Sequence, residues 1–374
     1  MHVGMSTVFQ NPQRKKADFE VYRDELRMAD MAEPLGFQSI WGVEHHFTDY
    51  TMCPDVIQFL TYMAGRTEKA LLGTMVVVLP WHDPVRVAEE VSMLDNISEG
   101  RTILGIGRGI AKVEFDGFRL DMSQSRARFT EAAEMVLDAL ETGYCEYDGE
   151  IIKQPRRDIR PEPFKSFKGR TYAAAVSPES SQIIAKLGVG ALIIPQKPWE
   201  EAAKELKVYQ ETFQQVNGEE APPPVVVGWV FCDEDEDRAH EMARRYIGGY
   251  WQSVMDHYEF KADHHKDVKG YEYYGKFSEK IAEYGDEAVI DFFLSLQVWG
   301  TPDQCYEKIM SIHEWTGNDA FVGVFSYAGM PAEDAQANMR LFSEKVMPRL
   351  KEFKPAGGLN REFGIGRTGI VAKA

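Results

Sequence analysis

What most constrains this chain is a regular alternation of short apolar stretches with amphipathic ones, joined by short connections. His2 to Phe9 reads as a strand, and Ala17 to Glu33 then sets Phe19, Tyr22, Leu26 and Ala29 at helical spacing, with Pro34 and Gly36 closing the helix. Phe37 to Gly42 (strand), Val56 to Arg66 (helix), Ala70 to Leu79 (a valine-rich strand) and a helix opened by Pro84 continue the series. It runs on through Thr102 to Gly107 (strand), Arg126 to Glu141 (helix), Thr171 to Ala175 (strand) and Pro178 to Leu187 (helix). Ala191 to Ile194 (strand), Trp199 to Gln215 (helix), Val225 to Cys232 (strand) and Glu234 to Met255 (helix) follow. Strands alternating with helices pair in parallel through right-handed crossovers, and such a series either closes into a barrel or stays open as a doubly wound sheet. About eight strand candidates favour the α/β fold of a (β/α)8 TIM barrel.

Three regions break the alternation. Tyr144 to Ile152 reads as a small hairpin turning at Asp148-Gly149. The polar and aromatic stretch from Lys261 to Asp291 has little periodicity and reads as a long functional loop or a disordered segment. The glycine-rich tail after Lys354 reads as an arm that wraps a neighbour or frays. With no internal repeat and no linker, residues 1–354 are expected to form one domain and 355–374 its tail.

Composition narrows the function classes. The 59 acidic residues outnumber the 42 basic ones, giving a formal charge of -17 with no dense basic cluster, so nucleic acid is not an expected partner. Apolar runs such as Met75 to Leu79 fall far short of the roughly 20 residues a membrane helix needs, and no charged-then-apolar leader opens the chain. The four cysteines, Cys53, Cys145, Cys232 and Cys305, form no C-x-x-C pair and suit a reducing compartment, so the expected location is the cytoplasm.

Three constellations carry chemistry. Glu44-His45-His46-Phe47 follows a strand, where the active sites of barrels gather. Adjacent histidines in an extended segment point opposite ways, so one enters a pocket while the other packs beneath it; position alone suits packing as well as catalysis. A metal reading has Glu44, His45 and His82 converging from neighbouring strand ends, although no H-x-x-x-H or H-E-x-x-H spacing supports it, and no metal is expected. His264 and His265 fall in the polar loop and read as solvated. Gly105-Ile106-Gly107-Arg108-Gly109 lets backbone approach a ligand while Arg108, with Arg126 on the next helix, can fork onto a phosphate; each arginine alone suits a surface salt bridge equally well. Ser177 stands at an N-cap ahead of Pro178, which capping explains, yet a late strand–helix junction also offers free N–H groups to an anion. Trp81, Tyr250 and Trp251 suit an apolar pocket or aromatic core packing.

At these residues the sequence resembles the bacterial luciferase family, in particular its catalytic alpha subunit. The matching stretches include Glu44-His45-His46-Phe47-Thr48, Gly73-Thr74, Val78-Leu79-Pro80, Pro84-Val85-Arg86, Glu99-Gly100-Arg101, Arg108-Gly109, Ser125-Arg126, Gly270-Tyr271, Gly300-Thr301-Pro302 and Val346-Met347-Pro348. The resemblance implies a (β/α)8 barrel and a two-component flavin-dependent monooxygenase, in which reduced FMN from a separate NAD(P)H flavin reductase and O2 oxidise a small organic substrate through a C4a-peroxyflavin. It makes His45 the catalytic histidine, places Arg108, Arg126, Ser177 and Ser180 at the flavin phosphate, and adds Ile110 and Val176 to the cofactor site. Met75-Val76 matches the family's non-proline cis peptide against the flavin ring, and Lys261 to Asp291 its mobile loop. It also implies a homodimer through Val56 to Arg66 and Pro84 to Asn96.

The chain departs from the family's luciferases at Gly107, where they carry a reactive cysteine, at Ile194-Pro195 in place of a serine-tryptophan pair, at Val176 in place of a glutamate, and at the acidic stretch Glu283 to Glu287 in place of a lysine pair. Light emission and a long-chain aldehyde substrate are therefore not expected. Two alternatives stay open: a deazaflavin (F420)-dependent hydride-transferring oxidoreductase, and a non-catalytic flavin-binding partner subunit.

Overall fold

The structure is a computed structural model that describes residues 1–174, 177–260, 271, 283–353 and 359. Its strands are β1 (His2–Thr7), β2 (Ser39–Gly42), β3 (Leu71–Thr74), β4 (Val77–Val78), β5 (Thr102–Gly107), β6 (Tyr144–Asp148) and β7 (Lys153–Asp158). β8 (Thr171–Ala174), β9 (Gly190–Ile193), β10 (Val225–Cys232), β11 (Val298–Gly300) and β12 (Ala320–Val324) complete them. Eight parallel strands close a ring in the order β1, β2, β3, β5, β8, β9, β10, β12 and back to β1. The expected barrel is present.

The sequence reading named no strand beyond Val225–Cys232, yet β12 is the one that closes the ring. Five residues interrupted by Gly323 give little strand signal on their own; β12 is fixed instead by partners on both sides, pairing Ala320 with His2 and with Val225. β11 pairs with the far end of β10 and lies outside the ring. The valine-rich stretch Ala70 to Leu79 is not one strand: it breaks into β3 and β4 around a cis Met75–Val76 peptide and ends in a 3-10 turn at Leu79–Trp81. The hairpin exists, but its second strand is β7 rather than the residues up to Ile152. The Glu131 carboxylate accepts the N–H groups of Glu150, Ile151 and Ile152 and so makes them the turn.

Helices α1 (Asp18–Leu35), α2 (Val56–Ala64), α3 (Pro84–Ile97), α4 (Lys112–Gly117), α5 (Ser125–Thr142) and α6 (Pro178–Lys186) cover the first strands. α7 (Trp199–Asn217), α8 (Glu236–His257), α9 (Asp286–Ser295), α10 (Pro302–Thr316), α11 (Ala332–Lys345) and α12 (Met347–Glu352) cover the rest. Their starts follow capping chemistry: Asp55 accepts the Gln58 N–H, and Asp83 caps α3 with Pro84 at its first position. The reading of Lys261 to Asp291 as one loop is corrected at its end, where α9 begins at Asp286 under an apolar face of Val289, Phe293 and Leu294. Residues 261–270 and 272–282, with His264 and His265, lie outside the described residues, as does most of the tail. Among the described residues, no helix is long and apolar enough to cross a membrane.

Inside the barrel, Trp41 of β2 is wholly buried and lays its indole over both neighbours. A Cβ at Gly4 or Gly73 would come within 2.9 or 2.3 Å of that ring, so glycines at these positions make the room. The indole N–H donates to Ser39 (2.7 Å), whose own hydroxyl proton goes to the neutral His2 ring (2.8 Å); burial pushes the His2 imidazole down to about 3. At the N-terminal end of the barrel, buried Asp95 takes a two-pronged bond from Arg170 (2.5 and 2.8 Å), joining α3 to the start of β8.

At the other end, Glu25 of α1 accepts from Val8 and Ser326, tying the loop after β1 to the one after β12. Burial raises its carboxyl to about 7, against hydrogen bonds that favour the anion. A folded-state pKa above the ordinary 4.5 means stability that is complete at low pH and lost as pH rises through about 7, worth about 3 kcal/mol. Glu25→Gln is therefore expected to raise Tm at pH 8.5 by several degrees, with a gain that shrinks toward pH 5; thermal melts across that range check it.

Candidate active site

The C-terminal strand ends hold the site. At the break between β3 and β4, the Thr74 hydroxyl donates to the Gly105 carbonyl and accepts the Gly105 N–H, both at 2.7 Å, carrying the ladder across the interruption. A side chain at Gly105 would meet the Thr74 carbonyl oxygen at 2.0 Å. The Met75 N–H meanwhile bonds the Gly42 carbonyl at 2.7 Å. These bonds fix the cis Met75–Val76 peptide at the edge of a cleft of about 820 Å³. Gly107 completes the cradle, because a Cβ there would sit 2.3 Å from the Val76 side chain.

Of the residues expected at a cofactor site, His45, Met75, Val76, Arg108, Ile110, Ser177 and Ser180 line this one cleft. Arg126 does not line it: from the first turn of α5 its guanidinium meets Glu179 at 2.6 Å, beside the N-terminus of α6. Val176 lies outside the described residues. Ser177 caps α6 by accepting the Ser180 N–H, and the two hydroxyls stand 2.9 Å apart at the positive end of that helix. The Arg108 guanidinium lies 4.1 Å from the Tyr271 ring centre, and the Tyr271 hydroxyl bonds Gly109 and Ser125. Tyr271 was flagged in the sequence by resemblance alone, without a role.

Two buried carboxylates divide the histidines. Glu44 takes His82 (2.6 Å), His46 (3.1 Å) and the Val78 N–H (2.9 Å). Burial opposes its charge, but the bonds from His46 and His82 outweigh it and hold the carboxyl below its usual range. His82 is raised in turn, Glu44 overcoming the effect of burial. His45 turns the other way, its Nδ1 3.0 Å from Glu114. The expected split of adjacent histidines is thus what the structure has: His45 faces the cleft, while His46 packs edge-on against Trp81 and Phe118. The grouping Glu44, His45 and His82 does not come together as one ligand set. Among the described residues, the His and carboxylate atoms that do cluster belong to His45, Glu114 and His257, all within 4.8 Å of one another. Glu114 and His257 were not singled out in the sequence.

A second chamber of about 650 Å³ adjoins the cleft, and the two share His45, Met75, Ile194, Gln196 and Tyr258. Tyr250 and Trp251 of α8, Trp229 of β10 and Phe293 of α9 form its aromatic wall, with Trp251 and Phe293 stacked at 4.5 Å. Of the two expected uses of these aromatics, Tyr250 and Trp251 line the inner chamber, while Trp81 lines the cleft.

With this geometry in place, comparison with known proteins decides the family, for the sequence matches luciferase-like monooxygenases over residues 1–319. The chain belongs to the luciferase-like monooxygenase family. It is 27% identical over 348 residues to an alkanal monooxygenase alpha chain of Photorhabdus luminescens, covering 92% of this chain and 96% of that one. A counterpart from Photobacterium leiognathi is 28% identical over 338 residues, 89% and 94% of the two chains. Among solved structures, monooxygenase RslO1 from Streptomyces bottropensis superposes with a TM-score of 0.78 at 26% identity, covering 93% of this chain and 99% of that one. The oxygenating constituent of 3,6-diketocamphane monooxygenase from Pseudomonas putida, solved in complex with FMN, shares the fold at a TM-score of 0.70 and 18% identity, covering 93% and 98%. An F420-dependent tetrahydromethanopterin reductase from Methanopyrus kandleri shares it at 0.64 and 20%, covering 93% and 99%. This luciferase-like chain is therefore a member of a family of flavin-dependent oxidoreductases.

The Gly107–Val76 contact gives a stability test. Gly107→Ala forces Val76 aside and is expected to cost about 1–3 kcal/mol, whereas Val76→Ala in the same chain restores most of it. Urea titration of the two single variants and the double variant should show this coupling rather than additive losses.

Proposed function

We propose that this luciferase-like protein is a two-component monooxygenase that uses reduced FMN and O2 to oxidise a small, uncharged organic molecule. The observation that carries the reading is the convergence on one cleft of an anion site and a histidine: Arg108 with the Ser177 and Ser180 hydroxyls at the α6 N-terminus, and His45 beyond the Val76–Gly107 cradle. These residues suit a flavin mononucleotide. Arg108, Ser177 and Ser180, with Arg126 behind them, would hold its phosphate; Met75, Val76 and Ile110 would lie along its ring. Reduced FMN, delivered by a separate NAD(P)H-dependent reductase, supplies the electrons that activate O2.

The chain itself binds, shields and moves a proton. The inner chamber offers the substrate an aromatic wall and no Lys, Arg, Asp or Glu among the described residues that line it, which favours neutral molecules over acids and phosphates. His45 stands where cleft and chamber meet and acts there as general acid and base. We place the protein in the cytoplasm, as a homodimer: Tyr62 on α2 and Met93 and Ile97 on α3 leave large apolar side chains about half exposed on the helices expected to pair.

The test is turnover under 18O2 with photoreduced FMN and a panel of neutral cyclic and aliphatic ketones and aldehydes. One 18O atom in the product is expected, with turnover reduced about 10²- to 10⁴-fold in His45→Ala. Product that is reduced by a deazaflavin donor and carries no 18O would instead establish a deazaflavin-dependent hydride transfer, and flavin binding without turnover of either kind would leave the partner-subunit reading. For the dimer, light scattering at micromolar concentration should give twice the mass of one chain, and Met93→Glu with Tyr62→Glu should halve it.

A further inference from the structure

We propose that Glu114 and His257 are positioning residues that hold the His45 imidazole in a single tautomer, Nδ1–H to the carboxylate, with Nε2 turned to the cavity as the atom that takes and returns a proton. The inference rests on the role of His45 given above and adds the residues that enforce it.

Glu114, on the short helix α4, is wholly buried. Its Oε1 accepts the His46 backbone N–H at 2.8 Å and stands 3.0 Å from His45 Nδ1. Burial raises a carboxyl, but the attraction of His45, the His45 hydrogen bond and the nearby His257 outweigh it and bring Glu114 down to about 2, so the group is an anion. A carboxylate can accept but not donate, so the proton between the two is on Nδ1. In the neutral ring that leaves Nε2 with the lone pair, 3.3 Å from the Tyr258 hydroxyl, which burial keeps protonated.

His257 closes the other side. Thr48 Oγ1 receives the Tyr50 N–H at 3.4 Å, which leaves its own proton for His257 Nδ1 at 2.9 Å. Burial lowers His257, with the nearby His45 adding to it against the pull of Glu114, and the neutral ring carries its proton on Nε2, 3.6 Å from the same Glu114 oxygen. That is too long for a hydrogen bond, and among the described residues neither His257 Nε2 nor Glu114 Oε2 has another partner. Two buried polar atoms left bare beside one imidazole cost about 1–3 kcal/mol each and are not explained by packing. With His257 beyond bonding distance, Glu114 Oε1 serves the His45–His46 segment. The His45 ring is boxed edge-on by Tyr50, His257 and Tyr258, with centres 4.8 to 6.0 Å away, so it cannot turn over freely. When a proton passes from an O–H in the cavity to Nε2, the Nδ1–H contact to Glu114 becomes charge-assisted, and it relaxes when the proton returns.

The test pairs a spectrum with turnover, using the full chain labelled with 15N-histidine. Long-range 1H–15N correlations are expected to show His45 as the Nδ1–H form and His257 as the Nε2–H form. Glu114→Gln should mix the His45 tautomers and lower kcat about 10²-fold while the Kd for reduced FMN stays within about threefold; Glu114→Asp should recover part of the loss. His257→Asn should loosen the same signature with a smaller fall in kcat. A His45 signal that remains in the Nδ1–H form in Glu114→Gln, or an unchanged kcat, overturns the proposal. If the wild-type chain binds no flavin, it is the monooxygenase reading that fails, and the tautomer spectrum still decides this one.

Discussion

The structure turns on a hydroxyl. At the end of β3 the backbone leaves its ladder to place the Met75–Val76 peptide at the cleft, and β5 would be left with an unpaired N–H and C=O at Gly105. Thr74 answers both with one side chain, and the ladder resumes three residues later at Val77. Buried backbone groups without partners cost about 1–3 kcal/mol apiece, so this departure is available where a short donor–acceptor side chain meets a glycine. Everything at the cleft's inner edge follows from it: the position of Val76, the need for Gly107 opposite, and the return of the chain toward Leu79 and Trp81, whose indole lines the cleft.

A second order is electrostatic. Two carboxylates packed among four histidines have several ways to pair, and burial makes a wrong pairing expensive. Glu44 is engaged from two sides by His46 and His82 and from the backbone by Val78, which leaves His45 to Glu114. The choice of which neighbouring histidine meets the cavity is thus settled by a residue 69 positions away in the chain.

That separation explains what the sequence could and could not disclose. The alternation of apolar and amphipathic segments gave the barrel because each strand and each covering helix carries its own period. His45 stood out through its position after a strand, and Arg108 and Ser177 through local chemistry that suits an anion, although capping and salt bridges account for both equally well without a third dimension. Glu114 sits on a six-residue helix with no period to read, and His257 closes a long helix whose buried face reads as core. β12 was missed for a related reason: its identity lies in its partners β1 and β10 rather than in its own five residues. The break in the valine-rich stretch was legible through family resemblance alone, since the bonds that bridge it run from Thr74 to Gly105, on another strand.

The joined chambers also divide the chain. Residues of the cleft come almost wholly from positions 44 to 196, while the aromatic wall of the inner chamber comes from Trp229, Tyr250, Trp251 and Phe293. Five shared positions are the seam between the two spaces: a change at Ile194 or Met75 is felt on both sides, whereas one at Trp251 or Phe293 touches the inner space alone. Exchange at Trp229, Trp251 or Phe293 would thus recut the inner space while the residues that line the cleft stay in place.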